Sequence, residues 1–482
     1  MSTTMTAAPI DSTPADVDAA AQAAGRASPG WGRSEAAARA GLLRGLGEAL
    51  LAHRAPLVAL ADQETRLGAP RLDGELDRTV FQLRGFADQV MHGAAFAVTD
   101  DPAVAGPPPT GHPALLRVRV PLGPVAVFSA SNFPFAFSVL GGDTASALAA
   151  GCPVVVKAHR GHRGLSHAVA ALAQDVVRAQ GLPSGLFALV DGRGTEVGVR
   201  LLAHPAIAAG AFTGSVQGGL ALQRVARERP RPIPFFGELG SVNPVVVQAA
   251  ALAAQGEALA QGLAASITQG CGQFCTSPGV IVLPVGAAGD AFVEALAAAL
   301  QATPTHPMLS PAMRDGFETG RARWTAHPGL QPLLHIPTPA AQPPRPVLMQ
   351  TDAACFIADT TLHEEVFGPA ALVVRIDDPA QAIDVLQAVG GSLTVTLWGM
   401  DEGRAADQAL VRAACQIAGR VLFDGYPTGV AVSAGQQHGG PFPSSTEPGS
   451  TSVGWAAMDR FLRPVCLQQA PDWLRQRQGR PC

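Results

Sequence analysis

The chain has 482 residues, 47% of them hydrophobic and only 15% charged, with a net charge of −4. At about 150 residues per domain, this length predicts two or three domains with large cores. The charge balance leaves no basic face for nucleic acid or an anionic membrane surface. The first residues (MSTTMTAAPIDSTPADVD) lack the basic and apolar regions of a secretory signal, and residues 1 to about 14 are expected to fray. From Pro14 to about Leu67 the Ala- and Leu-rich chain predicts helices, and a further helix is expected around Gly74 to His92. The Pro-rich segment 100–112 cannot be helical. Beyond it, LLRVRVPLG alternates apolar and charged residues as a half-exposed strand would.

A regular alternation follows. Short β runs at PVAVFSA, PVVVK, LFALV, IAAGAFTG and IPFFGEL are separated by helical stretches, the first of them closed by Gly151. Strands alternating with helices predict βαβ units and a parallel sheet of Rossmann-like type, an α/β fold with a dinucleotide site at the strand ends. After Gly240 the pattern restarts. NPVVVQ, VIVLPV, ALVVRI, SLTVTLWG and GRVLFDG alternate with helices such as ALAAQGEALAQGLAASIT, predicting a second α/β unit. Residues 337–346 (PTPAAQPPRP) read as a surface loop. No run of about 18 apolar residues marks a transmembrane helix.

The seven cysteines are scattered without disulfide-framework spacing. Cys271 and Cys275 lack the second Cys/His pair of a zinc site, so no metal is expected. Reduced thiols and a cytoplasmic location are the simplest expectation. Cys152, Cys355, Cys415, Cys466 and Cys482 are read as small buried hydrophobes. Cys275 differs: it sits in a glycine-flanked turn, Gly272-Gln273-Phe274-Cys275-Thr276, where a substrate can reach it. Glu238 ends the β-rich run IPFFGELG. A thiolate is a strong nucleophile and a nearby carboxylate can serve as general base. Asn132, in Ser131-Asn132-Phe133-Pro134 just past the first Rossmann strand, has an amide able to donate to an oxyanion. Lys157 closes the second strand. Gly214 and Ser215 form a strand-to-helix turn, although the G-x-G-x-x-G fingerprint is absent. Glu365 and Phe367 lie in Glu364-Glu365-Val366-Phe367-Gly368-Pro369.

Together these stretches resemble the aldehyde dehydrogenase superfamily over about residues 20–475. The strings FFGELGSVNPVVV, GQFCTSPG, YPTGV, HGGPFP and RFLRPVC resemble one branch of it, which contains α-ketoglutarate semialdehyde (2,5-dioxopentanoate) dehydrogenases and a bacterial fatty-aldehyde dehydrogenase. The resemblance implies Cys275 as nucleophile, Glu238 as base for hydrolysis of a thioacyl enzyme, and Asn132 with the Cys275 N–H as oxyanion hole. It assigns Lys157 to the adenosine ribose, the Gly214–Ser215 turn to the cofactor, Glu365 to the nicotinamide ribose, and Phe367 to the nicotinamide. It further implies a dinucleotide-binding domain over 1–103 and 123–238, a catalytic domain over 239–455, and an oligomerisation arm and tail over 104–122 and 456–482. A homodimer or homotetramer is the expected assembly.

The branch resemblance suggests α-ketoglutarate semialdehyde as substrate, with aliphatic or fatty aldehydes as the alternative. Arg78 and Arg84 are candidates for binding a distal carboxylate. The loop after Lys157 holds no acid, and Lys157, Arg160 and Arg163 could face a 2′-phosphate. NADP is therefore expected to be accepted and preferred over NAD. Asp424, Ala431, Gln436 and Gln437 depart from the branch pattern near the substrate side, as Arg160 does after Lys157-Ala158-His159. A CoA-acylating enzyme is disfavoured by the presence of Glu238. A thiol hydrolase is disfavoured because no histidine stands in a recognisable motif. A non-catalytic relative is disfavoured because Cys275, Glu238 and Asn132 are all retained.

Overall fold

The computed structural model describes residues 10–475. The expected fraying of the first residues falls mostly outside the described residues, and Cys482 lies outside them too. The four N-terminal helices run Pro14–Gly32, Ala36–Ala52, Arg54–Thr65 and Ala69–His92. They pack on a five-stranded sheet of Val125–Phe128, Val154–Lys157, Phe187–Val190, Ala209–Thr213 and Phe235–Glu238. All pairings in this sheet are parallel, and Val125–Phe128 lies at its centre between Val154–Lys157 and Ala209–Thr213. Successive residues serve opposite cores: Val154 and Val156 join Leu43 and Leu83 on one side, and Val155 joins Val17 and Leu201 on the other. Helices cover both faces, which is why each strand reads as an unbroken apolar run. The parallel arrangement brings Lys157, Thr213 and Glu238, each the last residue of its strand, to the same end of the sheet. Strand order reverses between the central strand and Ala209–Thr213, and a crevice for ligands opens at such a point.

A seven-stranded sheet follows, in the order Gln331–His335, Val347–Asp352, Ala370–Ile376, Val280–Pro284, Val245–Val247, Ser392–Trp398 and Ala418–Phe423. Gln331–His335 is its antiparallel edge. The first two strands and the helix Pro311–Ala326 were not foreseen from sequence. That helix buries little beyond Arg314, Phe317 and Trp324, so its apolar periodicity is weak. The third sheet pairs Thr99–Asp101 and Leu462–Gln468 antiparallel with Leu115–Pro121, leaving Leu462–Gln468 at an edge. Among the described residues no helix is long and apolar enough to cross a membrane.

Candidate active site

The helix Ala249–Thr268 delivers the chain to the Cys275 loop. Gly270, Cys271 and Gly272 then take positive φ values of 55°, 59° and 67°. A Cβ on Gly272 would lie 2.2 Å from the Gly368 backbone, so glycine is required for the loop to pass the Gly368-Pro369 turn. Asn243, itself left-handed at φ 45°, donates through Nδ2 to the carbonyls of Cys275 (2.8 Å) and Ser277 (2.9 Å). Its Oδ1 accepts from Ser241 and Thr394. The turn carrying the thiol is thus bound from below by one amide, which the sequence reading had not singled out.

A third residue, His438, stands with Glu238 and Cys275. The segment 438–452 folds over the strand Phe235–Glu238: Leu239 donates its N–H to Ser444 O and Thr446 donates to Gly237 O. This places His438 Nε2 2.9 Å from Glu238 Oε1 and 3.5 Å from Cys275 Sγ. Ser452 donates to the other carboxylate oxygen at 2.5 Å, and the His438 backbone is held by Thr451. The ligating atoms of Glu238, Cys275 and His438 all lie within 4.8 Å of one another. His438 thus stands beside the thiol although it lies in no recognisable motif. Glu238 and His438 are 200 residues apart in sequence, and the pairing depends on how segment 438–452 crosses the sheet edge.

The electrostatics follow from this packing. Burial opposes charge on Glu238, but the His438 partner and the hydrogen bonds from His438, Ser452 and Cys275 hold its carboxyl below the ordinary range. Burial pushes the Cys275 thiol well above its ordinary value, and the charges of Glu238 and Glu365 add to this, with Arg78 opposing. In the resting protein a protonated thiol therefore faces an ionised base. Cys271 is buried and its thiol is pushed up to about 12, the behaviour of an inert core cysteine.

Asn132 is buried and its Nδ2 donates to the Gln273 carbonyl at 2.9 Å, which aims the amide at the Cys275 turn. On the far side, Ser215 caps the helix Val216–Arg227 by accepting from Gly218 N–H, and Gly214 N–H is tied to the Glu238 carbonyl. Thr213 Oγ1, beside Gly214, is buried without a partner. A Cβ on Gly240 would lie 2.7 Å from Glu365 Oε2, so the Glu365 carboxyl rests against bare backbone. Burial pushes that carboxyl up to about 8, against an opposing hydrogen bond from the Ser241 backbone. Phe367 shares a cleft with Glu365, Ser241 and Gly272. An orphan hydroxyl, a capped helix N-terminus and an unpaired carboxyl along one strand-end crevice fit a nicotinamide dinucleotide.

Lys157 Nζ donates to the carbonyls of Ala158 and Gly192, and Arg160 is exposed. Arg163 is a correction: its Nε and Nη2 bind Asp191 and Asp11, so it is committed to structural acids and does not face a phosphate. Arg84 is exposed and paired with Glu48 on the outer helix surface. Two cysteine expectations also change. Cys415 lies on the outer side of the helix Ala405–Ile417 and Cys466 on the open side of its edge strand, and both are exposed.

A nucleotide-type parallel sheet set against a half-buried cysteine, a buried histidine and a buried carboxylate is the make-up of a dinucleotide-dependent enzyme working through a thiol. The aldehyde dehydrogenase family model matches residues 2–316, and the chain belongs to that family, whose members oxidise aldehydes with NAD(P). It is 44% identical to alpha-ketoglutaric semialdehyde dehydrogenase 2 of Azospirillum brasilense, over 95% of this chain and 88% of the relative. It is 40% identical to alpha-ketoglutaric semialdehyde dehydrogenase of Acinetobacter baylyi, over 95% and 87%. The crystal structure of an NAD-dependent aldehyde dehydrogenase from Sinorhizobium meliloti has the same fold, with a TM-score of 0.79 at 23% identity, covering 96% of this chain and 88% of the other.

Proposed function

We propose that the protein oxidises α-ketoglutarate semialdehyde to α-ketoglutarate, with Cys275 as nucleophile. The contact of Cys275 Sγ and Glu238 Oε1 with the same His438 nitrogen carries this reading. The thiol attacks the aldehyde carbon, forming a C–S bond while its proton passes to the adjacent His438–Glu238 pair. Asn132 Nδ2 is placed to donate to the oxyanion with its N–H not spent on Gln273. A nicotinamide bound in the strand-end crevice would supply the two-electron oxidant, taking a hydride equivalent from the carbonyl carbon. The thioester left on Cys275 is then hydrolysed by a water that Glu238 deprotonates, returning the free thiol and the acid. Lys157, Arg160, Gly214, Ser215, Glu365 and Phe367 would hold the cofactor. Arg160 as the exposed cation nearest Lys157 in the chain supports acceptance of NADP and a preference for it. The two named relatives and their 95% coverage of this chain support the substrate. The edge strand Leu462–Gln468 supports a homodimer or homotetramer. The scattered free cysteines support a cytoplasmic location.

The test is steady-state kcat/KM for α-ketoglutarate semialdehyde, butanal and decanal with each cofactor. The semialdehyde should exceed the others at least tenfold. A long-chain aldehyde that outperforms it by that factor would overturn the substrate assignment.

A further inference from the structure

Most buried arginines in this protein have their donors satisfied or an acid in contact. Arg39 donates to Ser34 and to four backbone carbonyls. Arg163 and Arg460 bind aspartates. Arg78 and Arg420, both half-buried, have neither. Arg78, from the helix Ala69–His92, donates from Nη1 to Val430 O, while its Nε and Nη2 are buried without a partner. Arg420 donates to the carbonyls of Gly429 and Pro427, and its Nε is likewise buried without a partner. Among the described residues neither guanidinium forms an ion pair, yet both hold the same short segment, 427–430. Buried guanidinium N–H groups left idle are costly unless a water, an ion or a ligand completes them.

The surroundings indicate which ligand. Arg78 stands over the Phe137 ring at 5.7 Å, five residues beyond Asn132 in the chain. A negative charge on Cys275 would favour the charged form of both guanidinium groups, so both sit within the field of the thiol. Of the acids beside it in the chain, Asp77 pairs with Arg54, and Glu75 spends Oε1 on the N–H groups of Phe135 and Ala136. An open cleft of about 510 Å³ lies beside Arg78 and residues 430–432, with Phe81, Asp77 and Arg84 also on its wall. The idle donors call for a planar anion with two oxygens, which a carboxylate supplies and an alkyl chain does not.

We propose that Arg78 and Arg420 together bind the carboxylate of the substrate while its aldehyde end reaches Cys275, and that this pair selects short aldehydes bearing a terminal carboxylate. This rests on the proposed semialdehyde activity and adds the residues that decide it. The two arginines act as specificity residues remote from the reacting carbon. Arg71, whose Nη2 holds the Asn132 carbonyl at 2.6 Å and whose guanidinium lies between Phe133 and Phe274, belongs to the oxyanion side.

The experiment compares the ratio of kcat/KM for α-ketoglutarate semialdehyde to that for butanal. In Arg78→Met the ratio should fall by about 10²-fold, and in Arg420→Met by at least about tenfold, the size expected for lost charge-assisted hydrogen bonds. Arg44→Met, at an exposed arginine paired with Asp88 that does not line this cleft, should leave the ratio unchanged. A measurement without turnover accompanies this: glutarate should protect Cys275 from iodoacetamide in the wild type and should need about 10²-fold more to do so in Arg78→Met. If the wild type prefers the semialdehyde but Arg78→Met keeps both the ratio and the glutarate protection within threefold, the arginine assignment is overturned and the substrate reading stands. A wild type with no preference for the semialdehyde overturns both.

Discussion

Glu238→Gln separates two roles that the geometry allows the carboxylate. Its charge disfavours the Cys275 thiolate, and its basicity is needed to deprotonate water. The interacting atoms lie within 4.8 Å. At an effective dielectric constant of about 20, a unit charge at that distance contributes roughly 3.5 kcal/mol. His438 is bonded to Glu238 Oε1 and takes up part of that field, so we expect the thiol pKa to fall in the variant. The assay is the rate of inactivation by iodoacetamide as a function of pH without aldehyde. Thiolate is the reacting form, so the rate rises with pH in both proteins. Below the wild-type pKa the variant should alkylate about 10- to 100-fold faster. Aldehyde turnover should nevertheless fall about 10²–10⁴-fold, the usual range for losing a general base. An initial burst of reduced cofactor should survive, because hydrolysis is the impaired step. Slower alkylation in the variant would refute the field argument and make Glu238 the base that activates the thiol.

Cys275→Ala should abolish aldehyde oxidation while cofactor binding, read by protein fluorescence quenching, persists; residual turnover above a few per cent would remove Cys275 as nucleophile. Asn243→Ala leaves the Cys275 and Ser277 carbonyls without their donor and puts alanine at a left-handed φ, at a combined cost of about 2–4 kcal/mol. A lowered midpoint of thermal unfolding, together with a lower kcat, is expected, and an unchanged midpoint would contradict the packing argument. Arg160→Ala should reduce kcat/KM with NADP at least tenfold more than with NAD; equal losses would show that this side chain does not read the 2′-phosphate. Light scattering at micromolar concentration should give a dimer or tetramer mass, and a monomer would exclude pairing through the Leu462–Gln468 edge.

Much of this protein was decided locally. The five apolar runs from PVAVFSA to IPFFGEL could only be strands covered on both faces, because a helix needs longer periodic stretches than four or five apolar residues between turn signals. Gly151 ended its helix because it can take φ 95° without strain. Cys275 and Glu238 stood out because their types and glycine-rich settings carry chemistry that a short window can display. The helix Pro311–Ala326 did not stand out, since it buries one face only sparsely. His438, Asn243, Arg78 and Arg420 acquire their meaning from partners far along the chain. His438 depends on a crossing of segment 438–452 over a sheet edge, and Arg78 donates to a carbonyl 352 residues away. Nothing in the local sequence distinguishes Arg78 from Arg84 on the same helix, yet one is half-buried with idle donors and the other pairs with Glu48 in solvent. Local sequence sets backbone propensity and chemical type. Which buried charges lack a partner is a property of the packed interior, where long-range contacts decide desolvation.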